Sequence, residues 1–270
     1  MTPQLDQICR LLRTTAAAEI LPRFRHAASR EKADGSLVTE ADLATQAVIA
    51  AELAVATPRI PLLGEEMDAA EQARLLGLAD TGVWCLDPVD GTSNFAGGFP
   101  LFAVSLALIR GGQAVLGAIY DPIRDECFCA ERTAGAFLNG APLRLGPAPD
   151  ALGDCLAAVD LKRLTPGELI RLGTAAPYRS QRSLGCVALE WCWLAAGRFQ
   201  LYLHGGQRLW DYAAGRLIAS EAGVASTLFE PDTGPMLVPA QGLSLAPRRA
   251  VAAPSVALLA QWQGWIQAAG

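Results

Sequence analysis

Trp84-Cys85-Leu86-Asp87-Pro88-Val89-Asp90-Gly91-Thr92-Ser93-Asn94-Phe95 is the stretch that decides the fold. An apolar run, Val83 to Leu86, stops at two carboxylates three positions apart, with Pro88, Gly91 and Thr92 shaping the backbone around them. The pattern predicts a strand whose end presents Asp87 and Asp90, which is where open α/β sheets bind ligands. The competing reading is an acidic surface turn, because Pro and Asp-Gly are good turn residues. Two distant acidic blocks weigh against it. Gly64-Glu65-Glu66 closes another apolar run, Ile60 to Leu63, and Trp210-Asp211 opens a segment with Ala213-Ala214-Gly215 that reads as a helix.

Gathered in one pocket, Glu65, Asp87, Asp90 and Asp211 would repel one another. Two carboxylates about 4 Å apart cost roughly 4 kcal/mol at an effective dielectric near 20, against a total stability of about 5–15 kcal/mol. Such a pocket needs a cation. With only two histidines, His26 and His204, and no cysteine inside the acidic blocks, a nitrogen and sulfur zinc site does not fit. Hard oxygen ligands select Mg²⁺, with Mn²⁺ as a substitute. Metals would also reverse the field toward a phosphate dianion, and the N–H groups of Gly91 and Thr92, at the start of a short helix, are placed to hold phosphate oxygens.

In order and spacing the three blocks resemble the inositol monophosphatase family, the magnesium-dependent, lithium-sensitive phosphatases related to fructose-1,6-bisphosphatase. The resemblance runs from about residue 35 to about residue 225. It implies an α/β fold, an α+β layered sandwich of alternating αβαβα layers. One domain would span residues 1–270, with an N-terminal α+β half (about 1–146) and a C-terminal α/β half (about 154–270). It implies hydrolysis of a small phosphorylated metabolite, inositol 1-phosphate or a related sugar or polyol phosphate, by direct attack of metal-activated water. Haloacid-dehalogenase-type phosphatases, which use Asp-x-Asp-Gly-Thr, are a poorer match, because Pro88 stands two positions before Asp90.

Carried over residue by residue, the family's roles give Glu65, Asp87 and the carbonyl of Val89 to a first Mg²⁺, and Asp87, Asp90 and Asp211 to a second. Asp42, in a Val38 to Asp42 match to Val-Thr-x-x-Asp, would hold a third ion through water. It reads equally as the acid that follows a Thr39 helix cap. Glu65 and Thr92 would orient the attacking water. Asp211 has its own alternative as a helix N-cap. Trp210 reads as packing and Glu66 as an acid outside the ligand set.

Substrate would meet Asp90, Gly91, Thr92, Gly185, Cys186, Val187, His204 and Asp211. The family's Gly-Ser/Thr-Ala-Ala wall stands here as Gly185-Cys186-Val187-Ala188, and His204 replaces a commonly acidic residue seven places before Asp211. An imidazole cannot accept from two hydroxyls of a diol as a carboxylate does. His204 either faces substrate or is a solvated residue before Gly205-Gly206. The field of substrates therefore extends to 3′-phosphoadenosine 5′-phosphate, fructose 1,6-bisphosphate and histidinol phosphate, or to a second anion near His204 and Arg208. A regulatory, protein-binding member of the family is the reading from another class. The resemblance further implies a homodimer.

A net charge of −5 with no long basic cluster argues against duplex nucleic acid as the main ligand. No tract is long and apolar enough for a membrane span. Met1 to Ala28 carries Asp6, Glu19, Arg10, Arg13, Arg23 and Arg25, unlike a signal peptide. Seven cysteines without a Cys-x-x-Cys suit a reducing cytoplasm. Cys127 and Cys129 share one strand face and read as buried thiols rather than a metal or redox pair.

Along the chain, Leu5, Ile8 and Leu12 predict a helix interrupted near Pro22. Asp34-Gly35-Ser36 reads as a loop, and a second helix from Thr39 has Leu43, Ala47, Ala50 and Ala54 as its apolar face. Phe102 to Ile109 and Ala114 to Tyr120 form a hairpin about Gly111-Gly112, followed by a strand from Glu126 to Ala130. Pro147 to Gly153 marks the boundary between halves. Cys155 to Val159 and Phe199 to Leu203 read as strands; Leu184 to Ala196, Tyr212 to Ala222 and Ser255 to Ala268 read as helices. Helices interleaved with mixed strands predict layered α/β.

Overall fold

A computed structural model describes residues 1–26, 29–31, 37–230 and 237–268. The loop expected at Asp34-Gly35-Ser36 lies outside the described residues. Helix α1 (Pro3–Thr15) leads to strands β1 (Ser29–Glu31) and β2 (Leu37–Thr39), helix α2 (Glu40–Ala56), strand β3 (Leu62–Gly64) and helix α3 (Ala69–Leu76). Next come β4 (Val83–Asp90), α4 (Thr92–Ala96), β5 (Ala103–Arg110), β6 (Gln113–Asp121), β7 (Glu126–Glu131), β8 (Gly135–Leu138) and β9 (Ala141–Leu143). After residue 155 follow β10 (Leu156–Asp160), α5 (Pro166–Ala175), β11 (Ser180–Arg182), α6 (Val187–Ala195), β12 (Leu201–Gln207), α7 (Leu209–Ala222), β13 (Ala225–Phe229), β14 (Arg248–Ala253) and α8 (Val256–Gln267).

Strands β3 to β9 form one sheet in sequence order, parallel at β3/β4 and antiparallel elsewhere. A second sheet has the order β11-β10-β12-β14-β13. Side-chain alternation turns these sheets into layers. On β4, Trp84 and Leu86 pack with Leu5, Leu12, Ile49 and Leu53 of α1 and α2. Val83 and Cys85 face the other way, onto α6 and α7 with Trp191 and Ala214. On β10, Ala158 joins that central core, while Ala157 and Val159 pack with Leu172 of α5 and Trp262 of α8. The result is the αβαβα sandwich expected from the resemblance, with α6 and α7 as its central layer. No helix among the described residues is long and apolar enough to cross a membrane.

The central helices lie close to each other and to the first sheet. A Cβ on Gly215 of α7 would sit 2.6 Å from Cβ of Trp191 on α6, so the glycine of Ala213-Ala214-Gly215 is a contact requirement. Helix α1 starts on Pro3 with Thr2 as its cap, and continues past Thr15 as a π-helical turn and a 3₁₀ turn that carries Pro22.

Three expectations need correction. The buried face of α2 is Ala41, Thr45, Ile49 and Leu53, and Leu43 is exposed. An alanine-rich helix offers weak periodicity, and the capping box that turns Asp42 inward sets its rotation instead. Helix α6 begins at Val187 rather than Leu184, since Gly185 has a left-handed φ of +73°. Strand β12 runs on to Gln207, so His204 is a buried strand residue and not a solvated one.

Candidate active site

The acidic pocket is built around an irregularity in β4. Asp87 pairs with Ser105 and Asp90 with Ala103, so three steps on β4 match two on β5. That extra residue is a β-bulge at Pro88-Val89. In a regular strand, residues three apart point to opposite faces. Here Val89 joins the core under α1 and α2, and Asp90 reaches α6, where Oδ2 accepts from the N–H of Ala188. Both aspartates are buried.

Gly91 follows with φ +88°, and a Cβ there would meet the carbonyl of Leu101 at 3.0 Å and Cβ of Cys186 at 3.3 Å. Only glycine suits that backbone and that gap. Thr92 then opens α4, its hydroxyl donating to the carbonyl of Val89 (3.0 Å). Asn94 uses Nδ2 to reach the carbonyls of Leu101 and Leu184, each at 2.9 Å. It thereby ties the β4 segment to the wall at Gly185, Cys186 and Val187. The thiol of Cys186 donates to Oδ2 of Asp90 (3.3 Å).

The other two blocks arrive from either side. Glu65 follows β3, where its N–H donates to the carbonyl of Leu86 (3.1 Å) and buried Gln72 donates to the carbonyls of Gly64 and Glu65. Asp211 is the third residue of α7, not its cap: Arg208 caps the helix, and its N–H donates to Oδ2 of Asp211 (2.8 Å). Ser105, the partner of Asp87, donates to the carbonyl of Trp210 (3.3 Å) and so fastens the start of α7 beside β4. Asp42 is buried at the start of α2, with Oδ2 accepting from Thr39.

Electrostatics shows these groups acting on one another. The carboxyl of Asp87 is pushed well above its usual range by burial, and further by the charges of Glu65, Asp90, Asp211 and Asp42. Asp211 is raised by burial and by Asp90 and Glu65. Asp90 rises to about 6 through burial, with the Ala188 N–H and the Cys186 thiol pulling it back. Asp42 rises to about 7, again mainly through burial.

The donor set fits a hard divalent cation. All of these side chains offer carboxylate oxygens, and none of the four aspartates forms a salt bridge among the described residues. Oδ1 of Asp42 is buried with no hydrogen-bond partner. One oxygen of each aspartate is already engaged, Asp87 Oδ1 accepting from the Val89 N–H (3.1 Å). As they are placed, no group of three or more His, Cys, Asp or Glu side chains among the described residues is arranged to hold a metal ion. The remaining oxygens are those an ion would use.

His204 occupies β12 opposite Asp160 of β10. Its Nε2 lies 3.2 Å from Oδ2 of Asp160, and its Nδ1 accepts from the N–H of Gly206 (3.2 Å). Both ring nitrogens are satisfied within the protein. Arg163 also holds Asp160 (2.9 Å), while Arg208 turns its guanidinium to the carbonyl of Leu245 (3.0 Å). Sequence reasoning missed Gln72, Ser105, Asp160 and Arg163. Each acts through a backbone carbonyl or a neighbouring strand, and only Asp160 ends an apolar run as the recognised acids do. Cys127 and Cys129 are buried free thiols.

Comparison with known proteins agrees with this architecture. The profile described as the Inositol monophosphatase family matches residues 3–264. An inositol-1-monophosphatase of Mesorhizobium japonicum is 40% identical over 197 residues, 71% of this chain and 72% of that protein. A Nus factor SuhB of Vibrio cholerae is 36% identical over 236 residues, 85% of this chain and 86% of that protein. The solved structure of a Thermotoga maritima IMPase is similar at a TM-score of 0.80 and 26% identity, covering 99% of this chain and 97% of that one. The chain belongs to the inositol monophosphatase family.

Proposed function

We propose that this protein is a Mg²⁺-dependent phosphomonoesterase for a small phosphorylated metabolite, inositol 1-phosphate or a related sugar or polyol phosphate. The observation that carries the reading is the convergence of Asp87 and Asp90 of β4 and Asp211 of α7, each raised by burial and by acids of the other blocks, Glu65 among them. In this reading Glu65, Asp87 and the Val89 carbonyl hold one ion and Asp87, Asp90 and Asp211 a second, with Asp42 serving a third through water. Bound there, Mg²⁺ supplies the positive charge and the acidification of water that ester hydrolysis needs. Glu65 and the Thr92 hydroxyl orient the attacking water. The N–H groups of Gly91 and Thr92 hold phosphate oxygens, and Gly185, Cys186 and Val187 line the leaving-group side. His204 acts by fixing Asp160 at the edge of β10 and β12.

The test is phosphate release from inositol 1-phosphate, fructose 1,6-bisphosphate, histidinol phosphate and 3′-phosphoadenosine 5′-phosphate, with Mg²⁺ and with added Li⁺. Release that requires Mg²⁺ and disappears in Asp87→Asn supports the reading; no metal-dependent release from any ester defeats it. A second reading rests on the Nus factor name of the Vibrio cholerae relative. In it the chain binds a macromolecular partner, and co-purification of that partner with an inactive protein would favour it. The homodimer belongs to the same set of proposals, and sedimentation would test it.

A further inference from the structure

A cavity of about 630 Å³ lies along the flank of α7, lined by Tyr212, Arg216 and Ser220 on the helix, the β5–β6 turn, Arg132, and Ser226 to Leu228 of β13. Asp211 and the other pocket acids are not part of its wall. Tyr212, Arg216 and Ser220 are four residues apart and share one helical face. The volume is in the range of sites that take small organic molecules.

Its polar groups are all suited to an anion. No acidic residue lines it among the described residues, and neither Arg132 nor Arg216 forms a salt bridge there. Arg132 spends Nε and Nη2 on one carbonyl, that of Ala114 (3.0 and 2.7 Å). Arg216 spends only Nε, on Oγ of Ser226 (3.3 Å). The remaining guanidinium N–H groups are open to a ligand, and planar forks of this kind match carboxylate, phosphate and sulfonate oxygens. Arg216 stands at the rim, yet its neighbours desolvate it and Arg132 repels it, enough to lower its pKa. Tyr212 is only 3% exposed and lines the cavity, and its hydroxyl makes no hydrogen bond among the described residues. Leu217, Val224 and Leu228 complete the wall with apolar surface.

We propose that this cavity is a second binding site, for a small organic anion. The anionic head lies between Arg132 and Arg216 and accepts from the Tyr212 hydroxyl, and the apolar body lies against Leu217, Val224 and Leu228. The site is independent of the phosphatase reading, because none of its groups belongs to the acidic pocket.

Anilinonaphthalene sulfonate is a suitable probe, being an aromatic anion that a phosphatase cannot hydrolyse. Its fluorescence is titrated against the full chain in Mg²⁺. Saturable binding is expected, weakened about tenfold or more in the Arg132→Gln/Arg216→Gln double variant, as loss of two charge-assisted contacts implies. Tyr212→Phe, which keeps the ring, is expected to weaken it about threefold or more. Asp87→Asn is expected to bind as the wild type does. Absence of saturable binding, equal affinity in the double variant and the wild type, or loss of binding in Asp87→Asn overturns the proposal.

Discussion

Thr39 gives both its hydroxyl (2.6 Å) and its backbone N–H (2.8 Å) to a single oxygen of Asp42, while the other oxygen is buried without a partner. The pair closes the first turn of α2 and leaves half a carboxylate unsatisfied. Burial raises this acid to about 7, and Glu65 and Glu66 add to the rise. Its folded pKa lies above its unfolded value of about 3.9. The stability it contributes is therefore present below about pH 4 and lost as pH climbs through 7. In metal-free protein, Tm of the wild type relative to Asp42→Asn is expected to fall across that window, and Mg²⁺ to remove most of the fall. Parallel melting curves for the two proteins at every pH would contradict this.

Asp87 experiences the charges of four other acids, and a neutral amide of the same shape relieves them. Asp87→Asn is expected to raise the metal-free Tm while abolishing the Tm increase caused by Mg²⁺. Phosphate release should drop by roughly 10²–10³-fold, the loss typical of one electrostatic group in a preorganised site. Calorimetry with and without the ion reads the first two effects. An Mg²⁺-induced shift as large as in the wild type would show that Asp87 holds no cation.

Cys186 donates a weak S–H bond to Asp90, whose pKa burial lifts to about 6. Cys186→Ser offers a stronger donor from the same position, so the acid limb of Mg²⁺-dependent kcat/KM is expected to move to lower pH. Cys186→Ala is expected to move it to higher pH. Coincident pH profiles for all three proteins would remove the thiol from any part in tuning Asp90.

Burial lowers the pKa of His204 to about 4, with Asp160 pulling the other way. The folded protein thus holds this ring neutral where the unfolded chain, at about 6.5, binds a proton. Stability from this site is present above pH 6.5 and is lost as pH falls toward 4, opposite in sign to Asp42. Relative to His204→Gln, the wild type should lose Tm across that range, and its activity should show no histidine transition near neutrality. A transition near pH 6.5 that His204→Gln removes would refute the assignment.

Gly215→Ala forces a methyl group against Trp191. Overpacking of this kind costs about 1–3 kcal/mol, which chemical denaturation would read as a lower midpoint with an unchanged slope. No loss would mean that α6 and α7 separate more easily than their contact implies.

Much of the fold and the acidic set was legible because both depend on local pattern. The apolar runs before Glu65 and Asp87, the Gly111-Gly112 hairpin and the small residues after Asp211 are each set by a few neighbours in sequence. The face of α2 was not, since alanines at Ala47, Ala50 and Ala54 mimic an apolar stripe that the Thr39–Asp42 cap rotates outward. The solvated alternative for His204 arose because two glycines look like a loop. In the structure Gly205 admits the Arg163 backbone, whose carbonyl would lie 1.9 Å from a Cβ there. Helix α5 and strands β13 and β14 had too little periodicity to stand out, and their packing on α8 and the second sheet decides them. Asp160 and Arg163 reach His204 only through strand pairing, which no single segment encodes.

The extra residue in β4 gives the chain length of that turn a weight equal to its chemistry. Were the ladder against β5 regular with Pro88 and Val89 both kept, all the carboxylates would remain in the sequence, yet Asp90 would turn to the opposite face, toward Phe95 and the helices α1 and α2. A chain paired in that regular register would keep its acidic signature and lose the pocket that gives the signature meaning.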